Sequence, residues 1–390
     1  MNSPYTFIDL FAGCGGLSEG FYKSNFSALA HIEIDKYCCQ TLKARMKYYD
    51  YSEHDINLSV LDDDITSEQI LPKIDKAVND RKVDLIIGGP PCQAYSSAGR
   101  ARDFYSMKKD PRNYLFKHYV KILNAYKPKL FVFENVLGIL TSTINGDKII
   151  NNVSQTLGEN YRILSNSNDM IFNTADYGVP QNRKRVIIIG ARKDLDISVD
   201  DIYRDIRGFT KPRVTVRDAI SDLPKIKSGC RQCVTPYQYT ILNDFINWVR
   251  NKQDNNLYDH VCRTQNDVDT ERYRQMSLHE WTFHELLQNR PDLSHPKSRA
   301  FSNSYVVQLW DQPSTTIVAH ICKDGNAFIH PDSEQSRSIS VREAARLQSF
   351  PDDFRFYGPM TQQFKQIGNA VPPLFAYQIA CVLKKYLNKI

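Results

Sequence analysis

Short apolar runs alternate with stretches of helical spacing through the first half of the chain. Thr6 to Phe11, Ala28 to Ile34, Val83 to Ile87, Leu130 to Glu134 and Arg185 to Ile189 read as strands, because each is a brief apolar run without a helical period. Between them, Tyr37 to Met46 and Tyr114 to Tyr126 place apolar residues on one face of a helix. Near-continuous apolar strands are buried on both faces, and strand–helix alternation predicts a doubly wound α/β domain whose parallel sheet is covered by helices. From about Asp194 to Ser336 the periodicity fades among scattered Pro, Asn, His and Arg, which predicts a smaller, irregular second domain. Helical pattern returns over Val341 to Gln348, and the apolar stretch Leu374 to Leu387 is expected to pack back on the first domain.

A chain of 390 residues has room for about two domains. Its hydrophobic content of 42 % and charged content of 24 % are those of an ordinary soluble globular protein. No apolar run approaches the roughly 18 residues that would cross a bilayer, so no membrane association is expected. The net charge of +6 matters less than its clustering: Tyr95 to Lys129 carries nine Lys or Arg against two Asp, and Lys211 to Arg231 is also basic. Such clustering suits a polyanion. Nine cysteines without a signal peptide predict reduced thiols in a cytoplasmic protein.

The chemistry-bearing stretch is Gly89-Pro90-Pro91-Cys92-Gln93, where one thiol follows two prolines at the end of an apolar strand. A stiff turn at the C-terminal edge of a parallel sheet is a suitable seat for a nucleophile, and the basic residues that follow would favour the thiolate; a buried, inert thiol is the alternative. The strand Leu130 to Phe133 delivers Glu134 to the same edge, where burial would raise its pKa and let it protonate a base. Asp9-Leu10-Phe11-Ala12-Gly13-Cys14-Gly15-Gly16 is a glycine turn opening a helix, but Ser18 stands where a dinucleotide fingerprint would place its last glycine. An acid at the end of the second strand, in Glu33-Ile34-Asp35, could accept from ribose hydroxyls. Arg183 and Arg185 fall on one face of an extended segment, either in a site or in a surface charge run, and Gly368-Asn369 reads as a loop before the last helix.

In this order, the segments Asp9 to Gly16, Gly89 to Gln93, Glu134-Asn135-Val136, Gln181 to Arg185, Arg342 to Gln348 with Phe350-Pro351, and Gly368 to Val371 resemble the cytosine-C5 DNA methyltransferase family. The resemblance covers essentially the whole chain except its variable middle. It implies a Rossmann-like S-adenosylmethionine-dependent methyltransferase domain at residues 1–195 plus 340–390, and a target-recognition domain and hinge at 196–339. It also implies that Cys92 attacks C6 of a flipped cytosine, that Glu134 protonates or hydrogen-bonds N3, that Arg183 supports Glu134 or the bound base, and that Arg185 contacts the cytosine carbonyl. For the cofactor, S-adenosylmethionine, the implied contacts are Phe11 on the adenine, Gly13 and Gly15 beside the methionine portion, Glu33 on the ribose, and Asp64 on the adenine amino group. Leu115 and Asn369 complete the pocket. Two departures stand out: Ile34 replaces an aromatic that often follows the ribose acid, and the long run Tyr48 to Leu61 makes Asp55 a rival to Asp64.

Within the middle region Arg263, Arg272, Arg274, His279, Trp281, His284, Asn303 and Gln308 are candidate readers of base edges. Cys230, Cys233, His260 and Cys262 lack the spacing of a zinc site, and no metal is expected. By the resemblance the partner is double-stranded DNA, with a separate restriction endonuclease acting alongside a monomeric, cytoplasmic, nucleoid-associated prokaryotic enzyme. Transfer-RNA cytosine methylation is the competing reading, disfavoured because about 140 residues are devoted to the middle region. A catalytically silent nucleic-acid-binding regulator is a third, disfavoured by the presence together of Cys92, Glu134, Arg183 and Arg185.

Overall fold

The apolar runs form an eight-stranded mixed sheet in a computed structural model that describes residues 5–91, 115–144, 147–237, 243–250, 254–294 and 304–390. Its strands are β1 (Thr6–Leu10), β2 (Ser27–Glu33), β3 (Val60–Asp62), β4 (Leu85–Gly88) and β5 (Leu130–Val136). A separate hairpin, β6 (Thr143–Ile144) with β7 (Asp147–Lys148), precedes β8 (Tyr161–Arg162), β9 (Ile171–Asn173) and β10 (Lys184–Arg192) of the main sheet. The order is β3-β2-β1-β4-β5-β10-β8, with β9 also on β10. Strands β1 to β5 are parallel, whereas β10 runs antiparallel to its three neighbours. The expected α/β fold is present, with an antiparallel edge that a continuous apolar run such as Val186 to Ile189 cannot announce. β3, β8 and β9 carry no signal in the pattern, because two or three residues cannot display a period.

Strand order reverses between β1 and β4, so the chain leaves their C-terminal ends in opposite directions and opens a crevice there. Helices cover the sheet. Tyr119, on Leu115–Tyr126, donates its hydroxyl to the carbonyls of Ile86 at 3.3 Å and Val132 at 3.0 Å, tying that helix to β4 and β5. Pro373–Leu387 packs on Gly16–Lys23, as its apolar pattern predicts. At Gly20 a Cβ would come within 2.3 Å of the Tyr377 nitrogen, so only glycine permits that approach.

Two compact units emerge, one formed by Met1–Thr174, Lys184–Thr210 and Phe375–Ile390, the other by Ala175–Arg183 and Lys211–Leu374. In the second, the helix Val341–Leu347 is a hub whose charged residues are all buried. Arg342 donates to the carbonyls of Tyr258, Pro351 and Phe354, and Arg346 pairs with Asp352 and Asp222. Glu343 closes a capping box on Ser340 and takes a two-pronged contact from Arg337, 2.7 Å at each oxygen. Burial alone would raise the Glu343 pKa, but Arg337 and His330 outweigh it and hold the carboxyl well below its usual range. Buried charges persist because each is paired and hydrogen-bonded.

Candidate active site

The turn after β1 is shaped by backbone that reaches the left-handed region at Phe11, Gly13 and Gly15. Phe11 does so at φ +60 without being glycine, a strained conformation of the kind that gathers at ligand sites. Gly13 faces open space where a Cβ would sit, and its N–H donates to Oε2 of Glu33 at 2.7 Å. The other Glu33 oxygen accepts from the Ile34 and Asp35 amides at 3.0 and 2.8 Å. Burial raises the Glu33 pKa, opposed by these three backbone donors. An exposed Ile34 side chain beside it offers an apolar surface. Cys14, in the same turn, is buried and its thiol is pushed up by that burial, so it is no thiolate.

Asp64 lies two residues beyond β3, at the sheet edge that also carries Glu33, and the neighbouring Asp63 amide donates to the Glu33 carbonyl at 3.1 Å. Asp55 belongs to the helix Glu53–Ser59, where it takes the Ser52 hydroxyl at 2.7 Å. The turn leading into that helix meets the opposite edge: the Tyr51 hydroxyl accepts from Ala28 at the start of β2. This extra helix accounts for the long separation between Glu33 and Asp64. Leu115 opens the helix on β4 and β5 and is half-buried.

β4 and β5 pair in parallel up to Gly88 and Phe133, so Gly89 and Glu134 emerge side by side. A Cβ on Gly89 would come 2.7 Å from Oε2 of Glu134. Arg185, on β10, brings its Nε to 2.9 Å from Oε1 of Glu134, an ion-pair contact off the line of the N–H bond, with both side chains largely buried. Burial draws the Arg185 pKa down while Glu134 opposes it. Cys92 lies outside the described residues, as does Asn303.

Arg183 and Asn369 belong to the second unit. Arg183 is buried and donates to the carbonyls of Ile317 at 2.7 Å and Gly368 at 3.3 Å. Gly368 is pressed against the backbone of Val318 and Ala319, where a Cβ would come within 2.3 Å. Asn369 ends the helix Met360–Asn369 and is exposed. Gln181 and Gln348 join this assembly: Gln181 donates to Gln348 and accepts from Ile317, and Gln348 donates to the Ile367 carbonyl. Charge chemistry drew attention to the arginines of these segments, while the buried glutamines that bind them together carry no sequence signal beyond the resemblance.

Several candidate readers are committed elsewhere. Arg272 is buried and bonds Asp269 and the Leu293 carbonyl, and Gln308 is buried between Ala327 and Thr315. Arg263 donates to Ile321 and lies over Phe364. His279, at the end of the helix Asp267–His279, and His284, on the helix Phe283–Asn289, remain exposed, whereas Trp281 in the turn between them is half-buried against the core around Tyr273 and Phe283 and stacks on His279 at 4.1 Å. Arg274 is exposed and pairs with Glu271. His260 has both ring nitrogens engaged, by Ser340 and the Pro224 carbonyl, and the described residues contain no group arranged to hold a metal ion. No described helix is long and apolar enough to cross a membrane.

Comparison with known proteins matches residues 5–385 to a family described as C-5 cytosine-specific DNA methylase. The chain is 36 % identical to the type II methyltransferase M.Bpa9945I of Bacillus paralicheniformis, over 98 % of this chain and 99 % of that one. It is 33 % identical to M.DdeI of Desulfomicrobium norvegicum, over 98 % and 89 % respectively. A solved structure described as a DNA modification methyltransferase encoded within an E. coli prophage aligns at a TM-score of 0.71 and 26 % identity, over 98 % of this chain and 99 % of that one. An Entamoeba histolytica methyltransferase shares the fold at a TM-score of 0.56 and 14 % identity, over 99 % of both chains. With the matched family spanning nearly the whole chain and a sheet edge that brings Glu134 beside the proline turn, this protein belongs to the C-5 cytosine-specific DNA methylase family and is a DNA cytosine-C5 methyltransferase.

Proposed function

We propose that this enzyme is the modification methyltransferase of a type II restriction–modification system, transferring methyl from S-adenosylmethionine to a cytosine flipped out of a specific duplex sequence. The observation that carries the chemistry is the meeting of Gly89 and Glu134 at one sheet edge, beside the crevice bounded by the glycine turn. Cys92 adds to C6, forming a sulfur–carbon bond, while Glu134 holds a proton or hydrogen bond at N3; electron density then collects at C5 as an enamine. Arg185 steadies the Glu134 carboxylate, and Arg183 acts through the end of the helix Met360–Asn369, whose Gly368 carbonyl it binds. Loss of the C5 proton and departure of the Cys92 sulfur restore the aromatic ring.

The residues present fit the cofactor. An open approach over Gly13, a Glu33 carboxylate fixed by three backbone donors and an uncovered Ile34 match a ribose and an adenine face. Phe11, Gly13, Gly15, Glu33, Asp64, Leu115 and Asn369 would hold it, with Asp64 favoured over Asp55 by its place at the Glu33 edge. When bound, S-adenosylmethionine supplies a methyl group made electrophilic by its sulfonium.

Residues 1–195 plus 340–390 would carry the cofactor and the chemistry, and 196–339 the target recognition, with the buried helix Val341–Leu347 as the base to which the recognition segments are bonded. Arg274, His279 and His284 remain as outward-facing readers. The family description favours DNA over transfer RNA, and a type II modification enzyme would act alongside a separate endonuclease. A monomer in a prokaryotic cytoplasm suits this role. Bisulfite sequencing of DNA from cells expressing the enzyme tests the reading: one short sequence should be protected throughout, and an absence of protected cytosines would refute it.

A further inference from the structure

We propose that Asn135 is a positioning residue that fastens the Pro90-Pro91 turn, and so the chain entering Cys92, in register with Glu134. The inference rests on the reading of Cys92 as the nucleophile. Asn135 is buried, and both ends of its amide are used: Nδ2 donates to the Pro90 carbonyl at 3.2 Å, and Oδ1 accepts from the Val136 N–H at 2.9 Å. The β4–β5 ladder ends at Gly88, and neither proline beyond it has an N–H to continue the ladder. Only carbonyls can tie this turn to the sheet, and Asn135 takes one of them. A flipped amide would set oxygen against oxygen at Pro90, so the bond has one productive orientation.

The same strand therefore carries the acid and the clamp in adjacent residues. Glu134 packs against Gly89 at the start of the turn, and Asn135 holds Pro90, its next residue. Catalytic groups lose about a hundredfold in rate when misplaced by about an ångström, so a turn released from β5 should slow addition of sulfur to C6 without touching the cofactor crevice.

Exchange of tritium from unmodified plasmid DNA labelled at cytosine C5 depends on that addition, bypasses methyl transfer and needs no methyl donor. The Cys92 sulfur bonds to C6, C5 takes a proton from water, the triton leaves to water, and the sulfur–C6 bond breaks. Asn135→Asp keeps the shape but turns a donor into an acceptor facing the Pro90 oxygen. Its exchange at pH 8 is expected to fall about tenfold or more, the effect of one lost buried hydrogen bond, with cofactor affinity unchanged. Expressed as a ratio to wild type, which cancels Glu134 and Arg185 as common charged neighbours, the defect should shrink toward pH 5.5, because a protonated Asp can again donate. Asn135→Ala should be slow at every pH, and it keeps the test in force if the carboxylate prevents folding. Wild-type exchange in Asn135→Ala, a pH-independent defect in Asn135→Asp, or a parallel loss of cofactor affinity in either would overturn the proposal. Cys92→Ser separates the two readings: persistent exchange there refutes the nucleophile, whereas no exchange there with wild-type rates at Asn135→Ala refutes the clamp alone.

Discussion

At the scale of residues, the acid of the site is defined by what touches it. Glu134 has Arg185 on one side and Gly89 on the other, so Glu134→Gln keeps the packing and a hydrogen-bond donor but cannot deliver a proton. Turnover should fall by about 10²–10⁴, read in single-turnover methylation, and an unchanged rate would remove Glu134 from its role. Asp9, under the glycine turn, offers a pH test. Burial, opposed by the Ser18 hydrogen bond and reinforced by Glu33, pushes its carboxyl from 3.8 up to about 8. The folded state thus keeps a proton that the unfolded chain gives up, and the stability it contributes is present at low pH and lost as pH rises from about 4 to about 8. Asp9→Asn mimics the protonated form, so its melting temperature should gain on wild type between pH 5 and pH 8.5; a constant difference would contradict the assignment. The sequence singled out Glu134, Arg183 and Arg185, with Arg183 expected to support Glu134 or the base and Arg185 the cytosine carbonyl, whereas it is Arg185 that meets Glu134 and Arg183 that binds the Ile317 and Gly368 carbonyls. A two-residue spacing fixes which face of a strand a side chain takes, yet here the chain passes from one unit to the next between Arg183 and Lys184.

At the scale of elements, the buried helix Val341–Leu347 contradicts its own polarity. Its Arg-Glu-Ala-Ala-Arg pattern would ordinarily read as a solvated face, but Arg342, Glu343 and Arg346 are all within the core of the second unit. Arg346→Met leaves Asp222 and Asp352 without the cation they share, and breaking such a pair should cost about 3–5 kcal/mol, measurable by urea denaturation followed at Trp248. A loss below about 1 kcal/mol would show that Arg250, Tyr237 and Arg342 suffice for the two carboxylates. The turn between Asp267–His279 and Phe283–Asn289 carries the opposite message. Glu280 takes a left-handed conformation, and a Thr282–Glu285 capping box restarts the chain at once, so Trp281 turns in against the core and His279, stacked on it, is exposed. Replacing His279 or His284 with Ala should change the relative methylation of near-cognate sites in bisulfite profiles while leaving cofactor affinity intact. Uniform loss at all sites would assign the turn to the phosphate backbone instead. The helices over Tyr37 to Met46, Tyr114 to Tyr126 and Leu374 to Leu387 and five of the strands were legible because apolar period reports burial; the thirteen-residue helix Asp267–His279, β3 at three residues, and the exposure of individual recognition residues were not. Whether Arg272 or Gln308 faces outward depends on partners distant in sequence, such as Leu293 or Ala327.

At the scale of the molecule, the α/β class was legible from alternation, and the order of the family segments gave the chemistry. The composition of the second unit was not, because Ala175–Arg183 and the stretch up to Leu374 join it through buried glutamine and arginine bonds rather than through an apolar period. The central claim is that Cys92, carried by the proline turn beside Glu134, bonds covalently to cytosine during methyl transfer. Incubating the enzyme and S-adenosylmethionine with plasmid DNA containing 5-fluorocytosine blocks loss of the C5 substituent and should trap that bond. Mass spectrometry of the digested complex should then find the nucleotide on the peptide bearing Cys92, and Cys92→Ser should yield no adduct. Attachment at another cysteine, or full methylation of ordinary DNA by Cys92→Ser, would contradict the account.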